Sequence, residues 1–282
     1  MVMSSFFVLL QKNKAMDLYK SDEEVELQRE SCLLVSATIT EVAKLLKPGI
    51  TTLSLDEMAE TFIRDNNAIP SCKGYHGFPY SLCISVNEEV VHGFPGKRIL
   101  KDGDIVTIDT VIYKNGFHGD HAYTFIIGET SKEILDLVRI TKESLYVGIQ
   151  KAVTGNRTGD IGYAIENYTA KQHGYGVIRD FVGHGVGREM HEDPQVPNYG
   201  FRGKGKKLIQ NMVLAIEPMI TLGSHKIDIL DDGWTVVSED KSTAVHFEHN
   251  VCVKKGAPLI LSDYTIIEAA EKQNINLNSS YY

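Results

Sequence analysis

Cysteine is scarce in this sequence, and long hydrophobic runs are missing from it. The 282 residues include four cysteines, and no two of them have CxxC spacing. A disulfide framework is therefore not expected in a chain of this length, whereas a reducing compartment, the cytoplasm, is. No run approaches the ~18 consecutive apolar residues that a membrane-spanning helix needs, so no membrane association is expected.

Basic residues are also in the minority. Lysine and arginine number 29 against 37 aspartates and glutamates, which gives a formal net charge of −8. This balance argues against a protein that binds nucleic acid or a membrane surface through a basic face. It leaves open a metal enzyme, in which carboxylates cluster. Hydrophobic residues make up 43% of the chain and charged residues 23%, which is typical of a globular protein with a sizeable core.

Both ends of the chain are expected to lie outside that core. The apolar stretch 2–10 has no basic segment before it and no small-residue cleavage site after it. It therefore predicts a first strand or a loosely attached tail rather than a signal peptide. Residues 274–282 are polar and are expected to fray. No linker-like segment divides the rest, so residues 1–282 are interpreted as one domain with its core at about 17–261.

Helices and strands alternate along the chain. Ser21-Asp22-Glu23-Glu24 is a capping box that opens a long amphipathic helix, which Pro48-Gly49 ends. A second helix is predicted to open at Ser54, a third covers about 132–152, and a short fourth ends near Gly174. The segment after Gly174 is expected to form turns. Strands are predicted at 82–86, 105–110, 111–113, 117–127, 213–216, 234–237 and 244–253.

The second half of the sequence repeats the pattern of the first. A shift of about 106 residues places Gly155 on Gly49. A slip of two more residues places the strand that ends at Ile216 on the strand that ends at Ile108. A helix–turn–helix–strand order could also recur by chance. The pattern nevertheless predicts a duplicated, pseudo-twofold α/β (α+β) domain with a site at the seam between its halves.

Four carboxylates stand in predicted strands or at their ends. Asn115-Gly116 is a hairpin turn signal, and antiparallel pairing about it places Asp109 opposite residue 121 or 122, within reach of Asp120. Glu217 ends an apolar strand of the second half, and Glu248 alternates with apolar neighbours. Carboxylates as close as Asp109 and Asp120 repel each other unless a cation or a proton lies between them. A solvent-facing position for each of them is the alternative.

Three histidines, His92, His184 and His191, lie among glycines or in tight turns. Glycine lets backbone or ligand approach closely, although a lone histidine in a loop is more often a surface residue. Carboxylate oxygens with a single imidazole suit Mn, Fe(II), Co or Zn. Two ions that share four carboxylates could hold a bridging hydroxide, as in two-metal hydrolases. The residues alone leave open both this centre and a structural protein with surface carboxylates.

Five short motifs occur in one order along the chain: GYHGFP (74–79), FHGD (117–120), GHGVG (183–187), HEDP (191–194) and IEPM (216–219). In this order and at these separations the sequence resembles the type I methionine aminopeptidases, which have the pita-bread fold. The resemblance covers about residues 17–261. Because nothing here looks like a long zinc-binding N-terminal extension, the short bacterial type is the closer match.

The resemblance implies a centre for two divalent ions, whose identity among Co, Mn, Fe, Zn and Ni stays undetermined. Asp109 matches the ligand that chelates one ion. Asp120 and Glu248 match the ligands that bridge both ions, and His184 and Glu217 match those that complete the other. A bridging hydroxide would attack the scissile carbonyl, and Glu217 would carry its proton to the departing amine.

The resemblance also implies the residues that bind substrate. His92 matches the histidine that binds the scissile amide nitrogen, and His191 matches the one that steadies the carbonyl oxygen. The pocket for the methionine side chain is matched by Tyr75, Phe78, Cys83 and Trp234, with His76 at its rim.

The sequence departs from the family pattern at a few positions. Met190 stands where a bulky aromatic is frequent, and His246 stands where glutamine is usual. His121 stands where a small hydroxyl residue is common, and Gln210-Asn211 replaces a Pro-Gly turn. None of these is a matched ligand position, so they bear on rate and metal preference rather than on the class of activity.

The function implied by the resemblance is that of a cytoplasmic metalloaminopeptidase. It would remove the initiator methionine from nascent polypeptides when the second residue is small, and such a substrate is compatible with ribosome association. Nothing in the sequence demands more than a monomer. A proline-specific aminopeptidase or dipeptidase of the same fold is one alternative, and segment 74–79 argues against it. An inactive binding relative is another, and the five retained ligand positions argue against that.

Overall fold

Five α-helices lie within residues 18–281, which are the residues that the computed structural model describes; the apolar stretch 2–10 falls outside this range. None of the helices in this range is long and apolar enough to cross a membrane. Two shorter turns, a 3₁₀ turn at Tyr75–Gly77 and a π-helical turn at Asn167–Gln172, accompany them. The α-helices are α1 (Asp22–Leu45), α2 (Thr52–Asp65), α3 (Lys132–Ile149), α4 (Thr158–Glu166) and α5 (Thr265–Gln273).

The predicted start of α1 is confirmed in detail. Ser21 Oγ accepts a hydrogen bond from the Glu24 backbone N–H at 3.2 Å, and Glu24 Oε2 accepts one from the Ser21 N–H at 2.8 Å. The start predicted for α2 is wrong by two residues. Thr51 is its N-cap, because the Thr51 hydroxyl accepts from the backbone N–H of Ser54, which is the third residue of the helix.

All strand pairings between named strands are antiparallel within residues 18–281. They form a sheet of β1, β4, β2 and β5, a five-stranded sheet in the order β15-β14-β9-β7-β8, and two three-stranded sheets, β13-β10-β6 and β11-β12-β3. The strands are β1 (Ile69–Pro70), β2 (Cys83–Val86), β3 (Glu89–Val91), β4 (Ile105–Lys114), β5 (Phe117–Ile126), β6 (Gly176–Val177), β7 (Gly183–Gly185), β8 (Glu192–Val196), β9 (Val213–Ile216), β10 (Met219–Thr221), β11 (Ile227–Ile229), β12 (Val236–Ser238), β13 (Ala244–His246), β14 (His249–Cys252) and β15 (Leu259–Ile260).

The predicted hairpin is the pair β4–β5. Asn115 and Gly116 both have positive φ, and Lys114 pairs with Phe117 across the two-residue turn. Asp109 lies opposite Ala122, as predicted. The strands predicted at 105–110 and 111–113 are one continuous strand.

The prediction of a single strand over 244–253 is wrong. The chain forms two strands there, β13 on the sheet of β10 and β14 on the sheet of β9. Between them the backbone N–H of Glu248 lies within hydrogen-bond distance of the Tyr264 hydroxyl (2.9 Å) and of the Ala122 carbonyl oxygen (3.1 Å), outside both ladders. The strand predicted at 234–237 starts later, because the Trp234 and Thr235 N–H groups donate to Asp232 Oδ1 in a turn.

The expected fraying of residues 274–281 is also wrong. The Asn274 side-chain amide donates to the carbonyl oxygens of Ala43 and Leu46 at the end of α1. Tyr281 is 3% exposed, and its hydroxyl donates to Glu271 Oε1. The segment after Gly174, predicted to form turns, contains the short strands β6, β7 and β8.

Helices and strands of the second half repeat those of the first at the offset that the sequence predicts. α2 and α4 begin 106 residues apart, and β4 and β9 begin 108 residues apart. The main hydrophobic cluster includes Ile108 and Phe125 from the first half and Leu214 and Phe247 from the second. The shared cluster supports the interpretation as one domain, which stays a prediction.

Candidate metal centre and substrate cavity

One cavity of about 690 Å³ contains the chemistry that the sequence predicts. It is bounded by loops and strand ends of both halves of the chain. All twelve predicted site residues line it: Tyr75, His76, Phe78, Cys83, His92, Asp109, Asp120, His184, His191, Glu217, Trp234 and Glu248.

The first pair of carboxylates is placed by β4 and β5. Asp109 pairs with Cys83 of β2, and Asp120 lies opposite Val111. The Asp120 backbone N–H donates to Asn250 Oδ1 at 2.8 Å, which ties β5 to β14. One ligand oxygen from each of Asp109, Asp120 and Glu248 lies within 4.8 Å of the other two, so the three carboxylates could share an ion.

Glu248 reaches this group because the chain changes sheets beside it. The Tyr264 hydroxyl lies 2.6 Å from the Ala122 carbonyl oxygen and 2.7 Å from that of Glu248, and can donate to either. It also accepts from the Glu248 N–H. This hydroxyl therefore holds the strand break that aims the Glu248 carboxylate at Asp120. Tyr264 lies beyond the range of the family resemblance, and the sequence analysis missed it.

His184 sits in the middle of the short strand β7, between β9 and β8. A Cβ on Gly183 would lie 2.3 Å from the Ala215 carbonyl oxygen, and one on Gly185 would lie 2.2 Å from that of Asp193. The glycines around His184 are therefore needed for close approach of the neighbouring backbone.

Glu217 follows β9 and faces His184. His184 Nε2 lies 3.6 Å from Glu217 Oε1 and 3.7 Å from Asp120 Oδ2. The Asn198 side-chain amide donates to the Glu217 carbonyl oxygen at 2.9 Å and fixes the end of the strand. The structure thus brings together the predicted ligands from both halves.

Burial and mutual repulsion make the carboxylates difficult to ionise together. Burial raises the pKa of Asp109 to about 7. Burial, and then repulsion from Asp109 and Glu217, raises the pKa of Asp120 well above its ordinary value. The pKa of Glu248 is raised by burial and then by Asp120. Burial lowers the pKa of His184 to about 4, which leaves the neutral imidazole that metals bind.

A divalent cation fits this arrangement. No lysine or arginine is among the residues of 18–281 that line the cavity, so no ammonium or guanidinium group offsets the carboxylates there. Glu248 Oε1 is buried without a hydrogen-bond partner. Several carboxylate oxygens and one imidazole form a donor set suited to divalent ions.

Two further histidines face the carboxylates. The ring centroids of His191 and His184 are 4.3 Å apart, and the Tyr75 hydroxyl oxygen lies 2.8 Å from His191 Nδ1. His92 has a positive φ of 59° and contacts the Phe181 ring edge-on at 5.4 Å. Burial, and then His191, lowers the pKa of His92 to about 4, so it is neutral at neutral pH.

The other end of the cavity is apolar. The Phe78 ring packs edge-on against Trp234 and Phe94, with centroids 5.2 Å apart in each case. Cys83 and Met190 belong to the same hydrophobic cluster. The lining also includes residues that the sequence analysis missed, among them Cys72 and Phe181. Cys72 lies two residues before the GYHGFP motif, and this proximity was the available signal.

Comparison with known proteins shows which family the chain belongs to. The family model described as "Metallopeptidase family M24" matches residues 26–255. The methionine aminopeptidase of Clostridium acetobutylicum is 50% identical over 248 residues, which are 88% of this chain and 99% of the relative. The chain belongs to the methionine aminopeptidases of family M24. The resemblance predicted from the five motifs is confirmed.

Solved structures of this family have the same fold. The methionine aminopeptidase of Thermotoga maritima aligns with a TM-score of 0.85 at 41% identity, over 87% of this chain and 98% of that one. An X-Pro aminopeptidase of the same organism aligns with a TM-score of 0.70 at 20% identity, over 90% of this chain and 64% of that one, and it shows the shared fold alone. The predicted pita-bread fold is therefore confirmed.

Proposed function

We propose that this protein removes the N-terminal methionine from nascent polypeptides whose second residue is small. One observation carries the proposal: an apolar slot opens directly onto the cluster of buried carboxylates within one cavity. An N-terminal side chain in the slot would bring its own peptide carbonyl to the cluster. The similarity to methionine aminopeptidases at 50% identity supports methionine as that residue.

The metal centre of the proposal comprises Asp109, Asp120, His184, Glu217 and Glu248, which would hold two divalent ions. Such ions supply Lewis-acid polarisation and a water of lowered pKa. The buried acidic cluster and the family support a divalent metal. The number of ions, and the choice among Co, Mn, Fe, Zn and Ni, are parts of the proposal that metal analysis of the purified protein would decide.

The histidines would bind the reacting peptide. With the Tyr75 O–H donating to His191 Nδ1, the Nε2 of His191 carries the proton and can donate to the carbonyl oxygen. His92, which faces the same cavity, would contact the scissile amide nitrogen. Glu217 would move a proton to the departing amine.

The methionine side chain would occupy the space between Phe78, Trp234 and Cys83, with Tyr75 beside it and His76 at the rim. An unbranched thioether suits aromatic faces, and each sulfur–aromatic contact contributes about 0.3–1.5 kcal/mol. The four buried cysteine thiols fit a reducing compartment, and we propose the cytoplasm, where nascent chains and ribosomes are found.

The test compares two peptides under one metal condition. Met-Ala-Ser and Ala-Pro-Ser are incubated with the metal-loaded protein, and the released amino acid is identified by mass spectrometry. We expect methionine from the first peptide and negligible alanine from the second. Preferential cleavage of Ala-Pro-Ser would favour the proline-specific alternative, and cleavage of neither would favour the inactive relative.

A further inference from the structure

We propose that His246 is a second imidazole ligand of the metal centre, and that its Nε2 binds the ion held by Glu217. The family resemblance places glutamine at this position, so the ligand would be particular to chains that carry histidine there. The inference rests on the metal centre of the proposed function.

The position of the ring favours this role. His246 ends β13, immediately before the chain changes sheets, and it lines the cavity. Its Nε2 lies 3.8 Å from Glu217 Oε2 and 4.0 Å from Glu248 Oε2. These distances are too long for hydrogen bonds.

The same distances suit donors that share an ion. Two donor atoms that each lie about 2.1 Å from one ion stand roughly 3–4 Å from each other, depending on the coordination angle. The Nε2 of the predicted ligand His184 lies 3.6 and 3.7 Å from its two carboxylate neighbours. His246 thus lies near the other oxygen of the Glu217 carboxylate, at nearly the separations that His184 has.

Burial gives a second, independent observation. His246 is 2% exposed, yet neither of its ring nitrogens has a hydrogen-bond partner. Buried polar groups are normally paired, and an unpaired one calls for an explanation such as an ion. By contrast, two other buried histidines each have a hydrogen-bond partner. His249 Nδ1 lies 2.7 Å from Ser262 Oγ, and His121 Nε2 lies 2.8 Å from Ser36 Oγ.

A second imidazole would change which ions the centre prefers. Imidazole nitrogen favours Co, Ni and Zn more strongly than it favours Mn, which carboxylate oxygens suit well. Glutamine offers at most an amide oxygen at this position. We therefore expect the chain to discriminate between Co(II) and Mn(II) more strongly than its His246→Gln variant.

The experiment uses the full chain, stripped of metal, in three forms: wild type, His246→Gln and the control His118→Gln. His118 lies on β5 with Nδ1 3.3 Å from the Gly187 carbonyl oxygen, and it is not among the cavity residues. Co(II) and Mn(II) affinities are measured by equilibrium dialysis, and the visible absorption of bound Co(II) is recorded.

We expect His246→Gln to weaken Co(II) binding by about 10–100-fold, the range typical for residues that tune a metal site, with a smaller loss for Mn(II) and a shifted Co(II) spectrum. His118→Gln should match wild type in each measurement. An unchanged Co(II) affinity and spectrum in His246→Gln would overturn the inference.

A measurement on wild type alone covers the case in which the variant does not fold. Proton NMR of the Co(II)-loaded protein should show exchangeable, strongly shifted N–H signals from two imidazoles, and a single such signal would overturn the inference. Methionine release is assayed on the same wild-type sample. Methionine release with only one imidazole signal refutes the role of His246 and leaves the proposed function standing. Two signals without release support the role of His246 and refute the proposed function. No Co(II) binding by wild type refutes both.

Discussion

Removal of the Tyr264 hydroxyl is expected to disturb both the stability of the chain and its metal site. The hydroxyl accepts from the Glu248 N–H and donates to the carbonyl oxygen of Ala122 or of Glu248. Tyr264 is 4% exposed, so water does not readily replace what the Tyr264→Phe substitution removes.

The size of the stability loss follows from which backbone groups keep a hydrogen-bond partner in the variant. In Tyr264→Phe the Glu248 N–H keeps the Ala122 carbonyl oxygen as a partner at 3.1 Å, while the Glu248 carbonyl oxygen loses the hydroxyl. One buried carbonyl without a partner costs about 1–3 kcal/mol. At about 2–4 °C per kcal/mol for a domain of comparable size, a loss near 2 kcal/mol lowers the melting temperature by roughly 4–8 °C. Because the lost bonds hold the Glu248 backbone, metal affinity should fall about 10–100-fold as well.

The assay is thermal unfolding of the metal-free proteins, followed by metal titration of the folded ones. Tyr146→Phe is the matched control, because its hydroxyl lies 3.3 Å from His249 Nε2 and does not contact Glu248. The control should keep wild-type metal affinity. The reasoning is refuted if Tyr264→Phe has both the melting temperature and the metal affinity of wild type.

Four further outcomes are expected from the site. Asp120→Asn should abolish metal-dependent peptide hydrolysis, because an amide lacks the charge and the second equivalent oxygen of a bridging carboxylate; full activity with two ions still bound would remove Asp120 from the centre. His191→Ala should keep its metal content, measured by elemental analysis, and lose about 10²–10³-fold in kcat as one oxyanion donor disappears; loss of metal would instead make His191 a ligand. The kcat/KM for Met-Ala-Ser should exceed that for Leu-Ala-Ser, since a side chain branched at Cγ fits poorly between Phe78 and Trp234, and equal values would contradict the pocket assignment. Met-Leu-Ser should also be cleaved more slowly than Met-Ala-Ser, and equal values would contradict only the preference for a small second residue.

Local signals in the sequence predict much of the first half. The capping box at Ser21 determines where α1 begins, and Asn115-Gly116 determines the register of β4 on β5. That register alone puts Asp109 and Asp120 within reach of one ion. The family resemblance then predicts the remaining ligands, His184, Glu217 and Glu248, and the structure places all of them around one cavity.

Long-range interactions explain what the sequence does not predict. Alternation of apolar and polar residues runs unbroken through Glu248, although the strand changes sheets there, because the partner that stabilises the break is the distant Tyr264. Residues 274–281 look polar in the sequence, and no local signal shows that they are held in place. Asn274 is fixed by the end of α1, which lies far away in the sequence, and the Tyr281 hydroxyl is fixed by Glu271 of α5. In the sequence, His246 only marks a position where the family pattern has glutamine. The structure shows in addition that its ring nitrogens are buried without hydrogen-bond partners.

The central claim is that methionine release depends on the metal bound by these carboxylates. The most direct measurement is methionine release from Met-Ala-Ser by the chelator-treated protein, before and after divalent ions are added back one at a time. We predict no release without metal and recovery with at least one of Co, Mn, Fe, Zn or Ni. Release that is unaffected by complete removal of metal would contradict the claim.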